Sequence, residues 1–242
     1  MKPDSPFYLR TLKILKRSDL FGRLKESVIQ DMLASFQRET LPQKCVVMKK
    51  EETTQWFYVL ISGRVKVTRS NPDTGREFTL FLLAPGDGFD VVPLLDGRQH
   101  NVSVVALDDI EALSASFDTI HRWIDRHTEF NRAFLPYIGK QIRTLANLAS
   151  DQVLYDTSTR LIKLFLEHTT DDTPRPKLKL IHDLSHEELA FMIGSVRVVV
   201  NRHLQKLKDE GIILVNRGNL EVKSLHALVN KIERHLDKNN KE

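Results

Sequence analysis

The segment from Leu184 to Glu210 constrains the fold more than any other part of the chain. It opens on Ser185-His186-Glu187-Glu188, an S-x-x-E pattern in which the serine hydroxyl and the glutamate carboxylate reach each other's free amides at a helix start. A short helix is therefore expected from Ser185 to about Ile193. Gly194 follows, the residue type that tolerates the positive φ of a helix stop or tight turn. A second helix is expected from about Val196 to Glu210, ending before Gly211. Ala190, Gly194 and Val200 stand in an A-x3-G-x5-V relation. A small residue at Ala190 lets two helices approach, Gly194 makes the turn, and Val200 fills the angle between them. Leu189, Ile193, Leu204 and Leu207 complete an apolar inner face. Two helices joined by a short glycine-containing turn describe a helix-turn-helix, although helix hairpins in general share parts of the pattern.

The outer face of the second helix carries Arg197, Asn201, Arg202 and Gln205, with Ser195, Val198 and Lys206 beside them. Arginine can bond N7 and O6 of guanine in a bidentate way, and Asn or Gln can do the same for adenine. Polar residues on a helix face are usually only a solvated face, so this set alone does not make a reader. Two neighbours strengthen it. Arg197, Arg202, Lys206 and Lys208 all precede Asp209 and Glu210, which gives a local basic strip. After the helix come Ile212-Ile213-Leu214-Val215, the turn Asn216-Arg217-Gly218-Asn219, and Leu220-Glu221-Val222. That is the pattern of a β-wing with Arg217 at its tip, able to meet a phosphate. The net charge of the 242 residues is only +4, which permits nucleic-acid binding without arguing for it.

Upstream the pattern changes twice. From about Leu41 to Phe117 it reads as short strands: Val46–Met48, Trp56–Ile61, Val65–Val67, Phe78–Leu83, Val102–Ala106 and Ile110–Leu113. Ser62-Gly63, Asn71-Pro72-Asp73-Thr74-Gly75 and Pro85-Gly86-Asp87-Gly88 separate them as turns. A sandwich, roll or barrel is implied. From about Phe117 to Asp151 the chain becomes helical. Phe134, Ile138, Leu145 and Leu148 fall on one stripe, which suits either packing on its own domain or, the reading preferred here, a coiled-coil-like dimer seam. Pro136 is expected to kink this helix or mark its first turn. A further helix is expected from about Thr157 to His168. The expected organisation is α+β: a β-roll sensor domain with N-terminal helices over 1–116, a dimerisation helix region over 117–150, and a winged helix-turn-helix over 151–242.

With these residues in place, the chain resembles the CRP/FNR superfamily of bacterial transcription regulators from about Phe21 to Val222. The resemblance rests on Phe57-Tyr58-Val59-Leu60-Ile61-Ser62-Gly63-Arg64-Val65-Lys66-Val67, on Pro85-Gly86-Asp87, on the long helix and on the winged helix-turn-helix. It implies a jelly-roll-like, cyclic-nucleotide-binding-type effector domain, a long dimer helix and a DNA-reading winged helix. It also implies a homodimer on palindromic double-stranded DNA, with two recognition helices about 34 Å apart, and RNA polymerase as an expected partner. The family commonly shows Arg-Glu-x-x-x-Arg in its recognition helix. Arg197 and Arg202 match the arginines, and Val198 replaces the glutamate. A valine cannot accept from cytosine N4 but can touch a thymine methyl, so an altered half-site is expected.

The effector pocket departs further. Cyclic-nucleotide binders of the family carry a Gly-Glu pair after the turn formed here by Gly86 and Asp87, then an Arg-Ser pair. Here the first falls on Asp90-Val91 and the second on His100-Asn101, with Arg98 close by. The base-contacting pair from the dimer helix falls on Leu145-Ala146. A cyclic phosphate without its arginine lacks its main compensation, so cAMP is not expected to be the effector; the identity of any small-molecule effector stays open. Cys45, the one cysteine, cannot supply the thiolates of an iron–sulfur cluster and is expected to be a buried strand residue. Haem stays open, with His100, His121 and His127 as candidate axial ligands. No metal site is expected; His182 and His186 suit a helix-start region better. Walker, G-x-S-x-G and H-E-x-x-H patterns are absent from the sequence, so an enzyme is not expected. The competing reading is a nucleotide- or haem-responsive sensor acting through protein contacts. No signal peptide or apolar span is seen, so a cytoplasmic location without membrane contact is expected.

Overall fold

A computed structural model describes residues 5–48, 55–99, 101–170, 177–216 and 219–239, with side chains to Glu233. The chain divides into two compact units: Met1–Gly75 with Leu80–Leu145, and Ala146–Glu242 with Arg76–Thr79.

The first unit opens with helices α1 (Pro6–Leu15) and α2 (Glu26–Ser35). Ser5 caps α1 by accepting from the Tyr8 amide at 3.2 Å, and Pro6 sits in the first turn, where a missing N–H costs nothing. Then come β1 (Gln37–Leu41), β2 (Val46–Met48), β3 (Trp56–Ser62), β4 (Val65–Ser70), β5 (Glu77–Leu83), β6 (Gly88–Phe89), the short helix α3 (Val91–Asp96), β7 (Ser103–Ala106) and β8 (Ile110–Ser116). They form two four-stranded sheets of order β1-β8-β3-β6 and β2-β7-β4-β5. The continuous apolar run of β3 has a physical cause, because both of its faces are covered. Leu60 turns into the roll with Val65, Val104 and Phe89. Phe57, Val59 and Ile61 turn outward, where the helices pack on them. Alternate side chains point to opposite faces of a strand, so a strand buried on both sides loses its polar alternation.

Two helices follow the roll: α4 (Phe117–Arg126) and α5 (Thr128–Leu154). The expected single helical region is broken at His127, whose φ of −119° and ψ of 92° are extended. Pro136 lies inside α5, not in its first turn. The apolar stripe expected at the dimer seam also divides. Phe134 is 2% exposed and stacks on Phe130 at 5.2 Å, beside Trp123 and Phe36, while Ile138 packs on the same cluster. These two belong to the domain's own core, so the seam reading does not hold for them. Leu145 and Leu148 stay partly exposed. The apolar face that α5 leaves in solvent runs instead through Leu135 and Ile142, 65% and 62% exposed. Gly139, Ala146, Ala149 and Val153 continue it at alternating steps of four and three residues.

In the second unit, α6 (Thr157–Glu167) is capped by Asp156, which accepts from the Thr159 amide at 2.7 Å. A short hairpin follows, β9 (Thr169–Thr170) and β10 (Lys177–Leu178), then α7 (His186–Met192), α8 (Arg197–Asp209), the wing strands β11 (Ile213–Asn216) and β12 (Asn219–Val222), and α9 (Leu225–Asn239). Cys45 lies just before β2 and is partly exposed, a turn residue and not a buried strand one.

Candidate nucleic-acid interface and effector site

The helix-turn-helix forms as its local chemistry dictates. Ser185 Oγ accepts from the Glu188 amide at 3.1 Å and starts α7. Gly194 ends it with φ of +61°, and the Ser195 amide donates back to the Ala190 carbonyl at 2.9 Å. That six-to-one bond around a left-handed glycine is a Schellman stop. Leu189, Ala190, Ile193, Val200, Leu204 and Leu207 are all buried, which fixes which face of α8 is left for solvent. Arg197, Asn201, Arg202, Gln205 and Lys206 are exposed on it, Ser195 is partly exposed, and Val198 reaches 78% exposure. The structure therefore leaves the expected reader residues of α8 together in solvent, with Ser195 in the turn just before the helix. Gln205 is partly engaged already, since its Nε2 donates to Asp209 Oδ1 at 2.7 Å. The wing strands pair with Ile213 opposite Val222 and Asn216 opposite Asn219. Arg217 lies outside the described residues.

The residues expected at the effector pocket are placed less uniformly. Gly86 holds φ of +99°, and a Cβ there would sit 2.7 Å from Cβ of Ser18, so close packing requires glycine. Asp87 turns inward, where Oδ2 accepts from the Ala84 amide at 2.9 Å, and burial raises its carboxyl above the usual range. These two hold the turn. Asp90 precedes α3 in the left-handed conformation, φ of +65°, and is 8% exposed. Burial pushes its carboxyl up to about 7. Val91 is partly buried against the helical core. Arg98 and Asn101 are exposed beyond α3, Leu145 is partly exposed on α5, and His100 lies outside the described residues. One contributor escaped the sequence reading. Tyr137 Oη donates to the Gly88 carbonyl at 2.9 Å and accepts from the Gly88 amide at 3.0 Å, clamping α5 to β6. No local signal marks a tyrosine for that role. Of the candidate haem ligands, His121 is tied through Nε2 to the Leu94 carbonyl at 2.8 Å, and His127 sits at the break between α4 and α5. Among the described residues no cluster of His, Cys, Asp and Glu could hold a metal, and no helix is long and apolar enough to cross a membrane.

The raised carboxyl of Asp90 gives a signed prediction. The folded state holds the proton between about pH 4 and 7 while the unfolded chain releases it, so stability falls as pH rises through that window. Asp90→Asn keeps the shape and tolerates the left-handed backbone. It is expected to raise the unfolding midpoint at pH 8 and leave it nearly unchanged at pH 4. Circular dichroism melts at both pH values check this; an equal shift at both would refute it.

Comparison with known proteins places both parts of the chain. A Crp-like helix-turn-helix domain matches residues 159–231, and a cyclic nucleotide-binding domain matches residues 38–127. A CRP-like cAMP-activated global transcriptional regulator of Mycobacterium tuberculosis is 28% identical over 203 residues, covering 83% of this chain and 90% of that protein. A global nitrogen regulator of Synechocystis is 25% identical, covering 86% and 92%. Among solved structures, the c-di-GMP responsive global regulator CLP of Xanthomonas campestris shares the fold, with a TM-score of 0.72, 18% identity, and coverage of 83% of this chain and 100% of that one.

Proposed function

Since this chain is a DNA-binding transcription regulator of the CRP/FNR family and not an enzyme, we propose that it reads a palindromic site as a homodimer through the outer strip of α8. The observation that carries this is the division of α8, with its inner face buried and Arg197, Val198, Asn201 and Arg202 left together in solvent. Arg197 and Arg202 reach guanine edges, Asn201 and Gln205 suit adenine, and Lys206, Ser195 and Arg217 meet phosphates. Val198 offers only an isopropyl group and reads a thymine methyl. The second copy docks along the exposed face of α5 that runs through Leu135 and Ile142. Domain limits of 1–116, 117–150 and 151–242, a cytoplasmic location and RNA polymerase as a partner complete the reading.

The effector of the roll is not cAMP in this reading. Asp90 and Val91 stand where the family's binders carry Gly-Glu, and Asp87 is spent on its own turn. A DNA affinity that changes at submillimolar cAMP would overturn this.

Selection from a randomised duplex pool at fixed, near-physiological salt tests the main reading, because backbone contacts make affinity strongly salt-dependent. Recovery of a palindrome is expected; no enrichment with or without haem and a nucleotide panel counts against it. Within the recovered half-site, replacing one thymine by deoxyuracil removes only the methyl. It is expected to weaken binding about fourfold, the worth of one buried methyl, and Val198→Ala should erase that difference. A site indifferent to every methyl would remove Val198 from the reader.

A further inference from the structure

The turn between α7 and α8 is built against a side chain from the end of the long helix. A Cβ added at Gly194 would lie against Gln152 Oε1 and 3.1 Å from its Cδ. The amide of Gln152 thus packs against this turn, and a Cβ at Gly194 would have to displace it. Gln152 is itself held. Its Oε1 accepts from Arg160 Nη1, and Arg160 Nη2 donates to Thr157 Oγ1 at 3.3 Å. The preceding residue, Asp151, pairs with Lys163. Arg160 and Lys163 are three apart and share a face of α6, so two consecutive residues of α5 are fastened to one face of that helix. Arg160 has need of this partner. Its Nε is buried without a hydrogen bond among the described residues, so the bonds that Nη1 and Nη2 make to Gln152 and Thr157 carry the hydrogen bonding of this partly buried guanidinium.

We propose that Gln152 is a positioning residue of the DNA reader: its amide, held by Arg160, sets the Gly194 turn and so the angle at which α8 presents Arg197, Asn201 and Arg202. The inference rests on the reading that α8 enters the major groove. Bidentate bonds to base edges require close placement of the helix. Non-specific binding comes from counterion release along the phosphates and is far less sensitive to that placement. A loosened turn therefore lowers specific affinity while leaving non-specific affinity in place. A role confined to stability would reduce both together through the folded fraction.

The test uses the full-length protein, the selected palindrome, and a scrambled duplex of equal length at the same salt, with thermal melts to correct for unfolded chain. Gln152→Ala and Gln152→Leu are expected to lower the specific-to-non-specific ratio about tenfold, the worth of one hydrogen bond to a charged group. Gln152→Glu keeps the acceptor for Arg160 and is expected to stay within about threefold of the wild type. Gly194→Ala is expected to cost more affinity in the wild type than in a Gln152→Ala background, since the clash needs the glutamine; the cost of positive φ is common to both and cancels. A ratio lowered by Arg197→Ala but untouched by Gln152→Ala overturns the positioning role alone. So does a Glu variant as damaged as the Ala variant, or an equal cost of Gly194→Ala in both backgrounds. If Arg197→Ala also leaves the ratio unchanged, the groove reading fails and the positioning role with it.

Discussion

Arg197→Ala is expected to remove most sequence-specific DNA binding while leaving the fold intact. Arg197 opens α8 and is exposed, so truncating it removes no buried side chain. A good bidentate pair to guanine is worth about 1–3 kcal/mol of discrimination. The proposed homodimer would present the residue twice, so the expected loss is about 2–6 kcal/mol, at least thirtyfold in affinity. The pattern of the loss is as informative as its size. A base contact makes the variant indifferent to one base pair in each half-site and leaves the salt slope nearly unchanged. A phosphate contact weakens all sequences alike and reduces the slope by about one for each phosphate no longer neutralised. Titration of the selected palindrome and its single-position variants at several salt concentrations separates the two. Unchanged affinity would remove Arg197 from the reader.

Leu135→Glu combined with Ile142→Glu is expected to yield a folded monomer that no longer holds the palindrome. Both side chains are mostly in solvent, at 65% and 62% exposure, and stand seven residues apart on α5, the repeat of a coiled-coil seam. Charging them costs the isolated subunit little. Across a two-fold interface it buries unpaired carboxylates against each other. The palindrome is then bound one half-site at a time, and an avidity gain of about 10²–10⁴ is lost. Phe134→Ala is the contrast one residue earlier. Phe134 is 2% exposed in the subunit's own core, so this change costs about 3–5 kcal/mol of stability and acts through folding. Light scattering and thermal melts on both variants distinguish them. A dimeric Leu135→Glu/Ile142→Glu protein would place the interface elsewhere.

These two experiments also mark where sequence reasoning stopped. The helix-turn-helix was legible because its determinants are local. Ser185 and Glu188, Gly194, and the apolar positions from Leu189 to Leu207 lie within a few turns of one another, and the helix-turn-helix follows from short-range capping, a left-handed glycine and one buried face. The strands of the roll were legible for a similar reason, since β-branched and aromatic runs were punctuated by turn residues. On α5 the same method assigned Phe134 and Ile138 to the wrong face. The helix carries two apolar faces, and periodicity alone cannot say which one its own domain uses.

The sequence by itself therefore determined the helix-turn-helix, the wing, the strand-rich N-terminal region and the identity of the residues offered on α8. Only the tertiary structure decided that Phe36 and Trp123, distant in the chain, claim Phe134 and leave Leu135 and Ile142 in solvent. It alone placed Tyr137 on Gly88, turned Asp87 inward to its own loop, buried Asp90 in a left-handed backbone, and set Gln152 against Gly194. The physical reason is one of range. Helix caps, turns and amphipathic periods are decided by neighbours along the chain, whereas the choice between two apolar faces, or the partner of a buried polar group, is decided by whatever the fold brings from elsewhere.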